Sequence, residues 1–316
     1  VRVAVLDDHQ SAFGQLDAAR RLHGHEVVTF ADPVTGDALV ERLDGFDAVV
    51  LLQQRTALPA EVVARLRTVR LVSQTGRNTG HLDLAALAAR RITVCAGGAG
   101  SPAATAELTW GLVLSALRHL PAEVARLRDG QWQGSVGTSV AGRVLGVYGY
   151  GRIGSRVAAI GRAFDMRVVC WGRSGSQDRA REAGYQVASS REAFFAGADV
   201  LCVHLPLNGG TRGIVTAADL SLMKPAALFV NTSRAGLVEP GALAAAVAAG
   251  RPGRAAVDVF DTEPVLDAAD ALLALPGVTA TPHLGYVTWD VLESLYGTAV
   301  DQVLAFAAGD PVNVVG

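Results

Sequence analysis

The amino-acid sequence predicts an α/β fold built from two doubly wound parallel-sheet domains, and three observations carry that expectation. Short β-branched runs alternate with helical patterns from end to end, as right-handed βαβ units require. Hydrophobic residues make up 50% of the chain and charged ones 18%, the balance expected when parallel strands are buried on both faces. Strand-like segments opening at Val1 and Arg143 each restart the alternation, and 316 residues suffice for two ordinary domains with a sizeable core.

In the first half, strands are expected at residues 3–6, 48–52, 71–73 and 92–95. A glycine cluster at 96–102 then breaks the pattern. Ser101 stands where a helix cap belongs and Pro102 at the first helical position, and a long apolar helix follows to about residue 120. Further strands are expected at 144–148, 167–171, 200–204, 228–231, 255–259 and 278–281. A weaker break near 285–288 precedes a last helix near 289–308. No low-complexity segment or short-period repeat interrupts this order.

Composition narrows the function classes. The net charge of −2, from 28 basic and 30 acidic residues, points to neither a nucleic acid nor an anionic membrane as partner. Cys95, Cys170 and Cys202 lie in apolar strand-like runs without metal-ligand spacing or an even-numbered framework, so buried free thiols in a reducing compartment are expected and no metal is. The first residues read as a strand ending in Asp7 and Asp8 rather than as a signal peptide. No apolar run reaches membrane-spanning length unbroken. A soluble, cytoplasmic protein is the expectation.

One motif gives its glycines a task. An apolar run over 144–148 ends at Gly149, Gly151 and Gly154 follow, and a helical pattern over 155–164 starts straight after. That is the layout of a dinucleotide-binding turn. Gly149 lets the chain turn sharply, Gly151 lets backbone approach a pyrophosphate, and Gly154 lets the helix pack on the strand while its N-terminus donates N–H groups to the phosphates. The bland alternative is a tight strand-to-helix turn that binds nothing. An acidic residue about 20 positions on usually binds the adenosine ribose and selects NAD. Here Gly172, Arg173 and Ser174 follow Trp171 instead. An arginine and a hydroxyl suit a 2′-phosphate, so NADP is favoured with NAD still admissible. As a solvated strand-end residue, or one stacked on adenine, Arg173 would discriminate between neither.

Three later segments put reactive side chains at the carboxyl ends of strands. Arg234 follows the run 228–231, where open α/β sheets bind ligands, and its planar guanidinium suits a carboxylate with an adjacent carbonyl. Asp258, Asp261 and Glu263 follow the next strand. His283, between Pro282 and Gly285, titrates in the range proton transfer needs, and a carboxylate beside it would fix its tautomer. His204 is expected to line a cofactor crevice. His9, His23, His25, His81 and His119 are read as structural.

The glycine motif, then Asn231-Thr232-Ser233-Arg234, then Asp258-Val259-Phe260 with Glu263-Pro264, then Pro282-His283-Leu284-Gly285, resembles the D-isomer-specific 2-hydroxyacid dehydrogenase family over nearly the whole chain. Its phosphoglycerate dehydrogenase and glyoxylate–hydroxypyruvate reductase-like members come nearest. The resemblance implies hydride exchange between a nicotinamide cofactor and a 2-oxo or D-2-hydroxy acid. It makes Arg234 the binder of the substrate carboxylate and carbonyl, His283 the acid–base, and Glu263 the group that tunes it. Cofactor contacts are implied at Arg152, Ile153, His204, Leu205, Pro206, Thr232, Ser233, Gly285 and, near the carboxamide, Asp258. The implied architecture is a discontinuous flavodoxin-like substrate domain, 1–98 with 287–316, around an inserted Rossmann domain, 99–286, that also forms a homodimer.

Departures from the family pattern matter too. Its substrate loop usually reads Gly-x-Gly-x-Asp, whereas here Gly76 is followed by Arg77, Asn78, Thr79 and Gly80. A backbone cradle at Gly76 is retained, and Arg77 and Asn78 become either substrate contacts or surface loop residues. Tyr286 either shapes an apolar pocket or packs under the hinge. Formate dehydrogenases carry glutamine where Glu263 stands, which counts against that chemistry. An alternative from another class is a corepressor-like NAD(P)H-sensing protein with vestigial activity. The intact Arg234, Glu263 and His283 set weighs against it.

Overall fold

The computed structural model describes residues 1–98, 100–266, 268 and 270–315. The chain packs as two compact units, Val1–Ser101 together with Tyr286–Gly316, and Pro102–Gly285.

The first unit is a five-stranded sheet, every pairing parallel, formed by β1 (Arg2–Val5), β2 (Glu26–Thr29), β3 (Ala48–Leu51), β4 (Leu71–Thr75) and β5 (Thr93–Gly97). Its order, β2-β1-β3-β4-β5, is that of flavodoxin-like folds. All four residues of β3 and all five of β4 are buried, as central parallel strands require. β2 was not expected from the sequence. It lies at the sheet edge with no fully buried residue, so the long apolar run that marks a central strand is missing. The helix Trp289–Ala307 returns to this sheet, where the buried Ser73 hydroxyl lies 2.7 Å from the Gln302 amide and 3.0 Å from the Ala299 carbonyl.

The second unit is a seven-stranded parallel sheet of β6 (Val144–Tyr148), β7 (Arg167–Trp171), β8 (Gln186–Val187), β9 (Val200–Val203), β10 (Leu228–Asn231), β11 (Arg254–Val257) and β12 (Val278–Ala280). The order β12-β11-β10-β9-β6-β7-β8 is a Rossmann arrangement extended by one strand. The strand order reverses between β6 and β9, so the crevice that open α/β sheets use for ligands lies at the carboxyl ends of those two.

Two helices differ from expectation. The helix after the opening glycines is Pro102–Leu117, shorter than expected, because His119 takes a left-handed φ of 54° and starts a second helix, Leu120–Arg128. Pro121 has no N–H for the Leu117 carbonyl, which instead accepts from Thr138 N at 2.8 Å. The helix after the glycine motif is Arg152–Ala163, so Gly154 lies within its first turn rather than before it.

Cys95, Cys170 and Cys202 are buried and free, and burial pushes the Cys170 thiol up to about 12. Among the described residues no helix is long and apolar enough to cross a membrane, and no group of three or more His, Cys, Asp or Glu is placed to hold a metal ion.

Candidate active site

The glycine turn is built by close approaches that side chains would forbid. Gly149 has a φ of +100°, and a Cβ there would lie 2.4 Å from the His204 carbonyl oxygen. A Cβ on Gly154 would lie 2.1 Å from the Gly149 carbonyl oxygen, which explains why the third glycine belongs inside the helix. At Gly151, by contrast, a Cβ would meet nothing within 4 Å. Internal packing therefore does not require its missing side chain. The helix that starts at Arg152 has no side-chain cap and no acidic residue in its first turn, which leaves its N-terminal N–H groups and positive dipole end for an anion.

The same edge of the sheet carries the rest of the expected cofactor residues. Gly172, Arg173 and Ser174 follow β7, where exposed Arg173 occupies the N-cap of the helix Ser174–Glu182. Arg173 reaches toward the 208–211 turn, with its Nη2 3.1 Å from where a Gly210 Cβ would stand. Sequence reasoning did not find Ser176, whose hydroxyl accepts from Tyr150 N at 2.7 Å and ties this helix to the glycine turn. Its only sequence signal is its position one helical turn from Arg173. His204, Leu205 and Pro206 follow β9. His204 is 8% exposed, neither ring nitrogen has a partner among the described residues, and burial pulls its pKa down to about 4. A neutral imidazole with unmet hydrogen bonds at the switch point, a helix N-terminus and an open Gly151 together fit a dinucleotide.

Past β10, a local brace orients Arg234. Asn231 Nδ2 donates to the Arg234 carbonyl at 2.9 Å, Asn231 Oδ1 accepts from Ser233 N at 3.0 Å, and the Ser233 hydroxyl donates to the Val203 carbonyl at 2.9 Å. The Thr232 hydroxyl meets that of Thr109 at 2.8 Å. Past β11, Phe260 N donates to Glu263 Oε1 at 2.9 Å, turning the carboxylate back over the strand end. His283, past β12, sets Nδ1 2.6 Å from Glu263 Oε2. Burial raises the Glu263 carboxyl, but the hydrogen bond and charge of His283, the Phe260 N–H and the charge of Arg234 outweigh it and hold it below the usual carboxylate range. Asp258 is fully buried, and burial pushes its carboxyl up even though three donors face it. Arg234, Glu263 and His283 thus stand past three adjacent strands at one edge of one sheet.

With Nδ1 engaged by a carboxylate, the imidazole is held in one orientation and Nε2 becomes the nitrogen suited to exchanging a proton. The guanidinium and the His–Glu pair together can bind an anion and move a proton at an adjacent oxygen.

In the first unit, Gly76 follows β4 with a φ of +81°, against the Gln53 amide 3.2 Å from where its Cβ would stand. Arg77 and Asn78 are exposed, and Asn78 Oδ1 accepts from Gly80 N at 3.0 Å, closing a tight turn. Arg55, which sequence reasoning missed, donates to the Asp7 carbonyl at 2.6 Å and lies over the Tyr286 ring at 5.5 Å. It stands past β3, beside the point where this sheet's strand order reverses.

Comparison with known proteins agrees with this geometry. Residues 110–285 match the model of the D-isomer-specific 2-hydroxyacid dehydrogenase NAD-binding domain. A glyoxylate reductase of Aeropyrum pernix is 32% identical over 95% of this chain and 92% of its own length. A D-3-phosphoglycerate dehydrogenase of Mycobacterium tuberculosis is 34% identical over 92% of this chain but only 55% of its own length, so the chain spans about half of that relative. The crystal structure of a phosphoglycerate oxidoreductase from Vibrio cholerae superposes with a TM-score of 0.94 at 44% identity, covering 98% of this chain and 99% of that one. With its two parallel sheets, its glycine turn at the switch point and a family match across more than half its length, this chain belongs to the D-isomer-specific 2-hydroxyacid dehydrogenase family.

Proposed function

We propose that the protein interconverts a 2-oxo acid and a D-2-hydroxy acid, with Arg234, Glu263 and His283 performing the reaction. The observation that carries this reading is the 2.6 Å His283–Glu263 pair beside the charge of Arg234. A nicotinamide cofactor held by the glycine turn, the N-terminus of the Arg152 helix and His204 would supply or receive the hydride. Arg234 binds the substrate carboxylate and draws electron density from the adjacent carbonyl. His283 gives its proton to the carbonyl oxygen during reduction and takes it from the hydroxyl during oxidation. Glu263 holds the ring and stabilises its protonated form. In this reading residues 99–286 serve as the cofactor domain, and residues 1–98 with 287–316 as the substrate domain. There the Gly76 backbone, Arg77 and Asn78 meet the substrate. Initial rates with NADPH and NADH against glyoxylate, hydroxypyruvate, phenylpyruvate and a branched 2-oxo acid test the reading. Turnover of at least one is expected, and silence from all four with cofactor bound overturns it.

NADP(H) is the preferred cofactor in this reading, supported by exposed Arg173 and Ser174 where NAD-selective relatives place a carboxylate. Arg173→Ala is expected to weaken NADPH binding roughly tenfold or more, the scale of one charge-assisted hydrogen bond, and to spare NADH. Fluorescence titration with both cofactors checks it, and equal effects would remove Arg173 from 2′-phosphate recognition.

The cofactor domain also carries the homodimer contact. Leu127 is 61% exposed, Trp132 75% and Val136 93%, three exposed apolar side chains on and after the Leu120–Arg128 helix that a second copy would cover. Light scattering after size exclusion should give twice the chain mass, falling to one chain for Leu127→Asp/Trp132→Ser. A monomeric parent protein refutes the assignment.

A further inference from the structure

The glycine turn is tied to β7 and to the helix that follows it, Ser174–Glu182. Gly149 N donates to the Trp171 carbonyl at 2.8 Å, which joins the ends of β6 and β7. The next residue, Tyr150, is held at both of its backbone groups by that helix. Its N–H donates to the Ser176 hydroxyl at 2.7 Å, and its carbonyl accepts from Arg179 Nη2 at 3.2 Å. The Tyr150 carbonyl and the Gly151 N–H share one planar peptide, so the bond from Arg179 also sets the direction of the Gly151 N–H. Gln177 Nε2 donates to the Gly172 carbonyl at 2.8 Å and fixes the helix to the strand end before it. Tyr150 is buried, so an N–H released there is costly to leave unmet. The Ser176 hydroxyl, however, occupies space that a side chain at 172 would need. A Cβ on Gly172 would stand 2.9 Å from Ser176 Oγ and 3.1 Å from Ser176 Cβ. The hydroxyl is the group that can move, and moving it breaks its bond to Tyr150 N.

We propose that Ser176 is a positioning residue for the dinucleotide and that it excludes a side chain from position 172. Its hydroxyl holds the glycine turn only while residue 172 has no Cβ, so an acidic residue at 172 and an ordered turn exclude one another in this chain. Position 172 is the first after β7, at the strand end where a carboxylate binds the adenosine ribose and selects NAD. The missing carboxylate is thereby built into the packing beneath the turn, and not only into Arg173 and Ser174 beside it. A single Gly172→Asp exchange then cannot make the site NAD-selective, because it releases Tyr150 before it gains a ribose contact. The exchange becomes productive once the Ser176 hydroxyl is gone. The remaining contact, with Cβ of residue 176, is relieved by a shift of a few tenths of an ångström.

This inference deepens the cofactor reading above, and the test separates the two. Ser176→Ala, Gly172→Ala and their pair are compared in the full chain, together with Gly172→Asp in the parent and in Ser176→Ala. Fluorescence titration with NADH and NADPH gives affinities, and amide hydrogen exchange reads Tyr150. Ser176→Ala should weaken both cofactors equally, by roughly tenfold, the scale of a buried donor left unmet, and strip protection from the Tyr150 amide. Gly172→Ala should do the same, and the pair should lose no more than either alone, since both remove one bond. Gly172→Asp should weaken NADH in the parent but tighten it in Ser176→Ala by roughly tenfold, the scale of one charge-assisted hydrogen bond. Loss of NADPH alone in Ser176→Ala would put the hydroxyl on the 2′-phosphate and overturn the proposal. Parental affinity and protection in that variant overturn it too, and this variant decides should those at 172 not fold. Additive losses in the pair would mean that a Cβ at 172 acts through its own backbone, against steric exclusion. A parent that binds both cofactors equally, with the pair still non-additive, overturns the NADP(H) preference and leaves the exclusion standing.

Discussion

His283→Ala is expected to lower turnover by at least ~10²-fold, the contribution typical of a general acid, and to leave cofactor affinity unchanged. The separation follows from the placement of the groups. His283 lies past β12, whereas the glycine turn and its helix N-terminus lie past β6, four strands away in the sheet. Steady-state rates and a fluorescence titration check the two halves. Turnover that survives the substitution removes His283 from the chemistry. The pH behaviour of the pair has a definite sign. Because the folded-state Glu263 carboxyl lies below its ordinary value, its contribution is complete above the ordinary carboxylate range and is lost only as pH falls through the lowered value. Glu263 therefore stays ionised through neutral and mildly acid solution, and loss of activity there does not come from its protonation.

Gly154→Ala has the second large effect, on both fold and cofactor. Its Cβ would stand 2.1 Å from the Gly149 carbonyl oxygen and 3.2 Å from Val147 Cγ1. The first of these is backbone of the same turn and cannot rotate away. The helix Arg152–Ala163 must lift from β6, an overpacking that costs about 1–3 kcal/mol, and the N–H groups meant for the pyrophosphate move with it. Cofactor affinity should fall more than roughly tenfold, and Tm by about 2–4 °C for each kcal/mol lost in a domain of this size. Gly151→Ala is the control, because its Cβ meets nothing within 4 Å. That variant should keep its Tm and still bind cofactor poorly. Equal Tm for both variants would show that Gly154 does not pack the helix against the turn.

The order of motifs was enough to read the parallel-sheet architecture and to bring Arg234, Glu263 and His283 to one sheet edge. Strand-end positions follow from chain order once the strands are parallel, and buried strands announce themselves by unbroken apolar runs. β2 escaped because an edge strand needs no such run, and β8 because two residues make no pattern. The start of the helix at Arg152 escaped because glycine reads as a break in propensity, while here the absence of a Cβ is what admits the helix.

Other features belong to pairs far apart in the chain. Asp258 and Gly285 are 27 residues apart, and Thr105 and Gly285 are 180 apart. No periodicity or local spacing encodes such meetings. A motif can say that a histidine follows a strand and a carboxylate follows its neighbour. Whether the backbone beneath that histidine is held depends on which buried donors and acceptors folding leaves to satisfy one another. Local patterning thus specified the sheets and which polar side chains follow their strands. The turn that carries His283 is tied instead by long-range hydrogen bonds to buried Asp258, where an unmet polar group is too costly to leave alone.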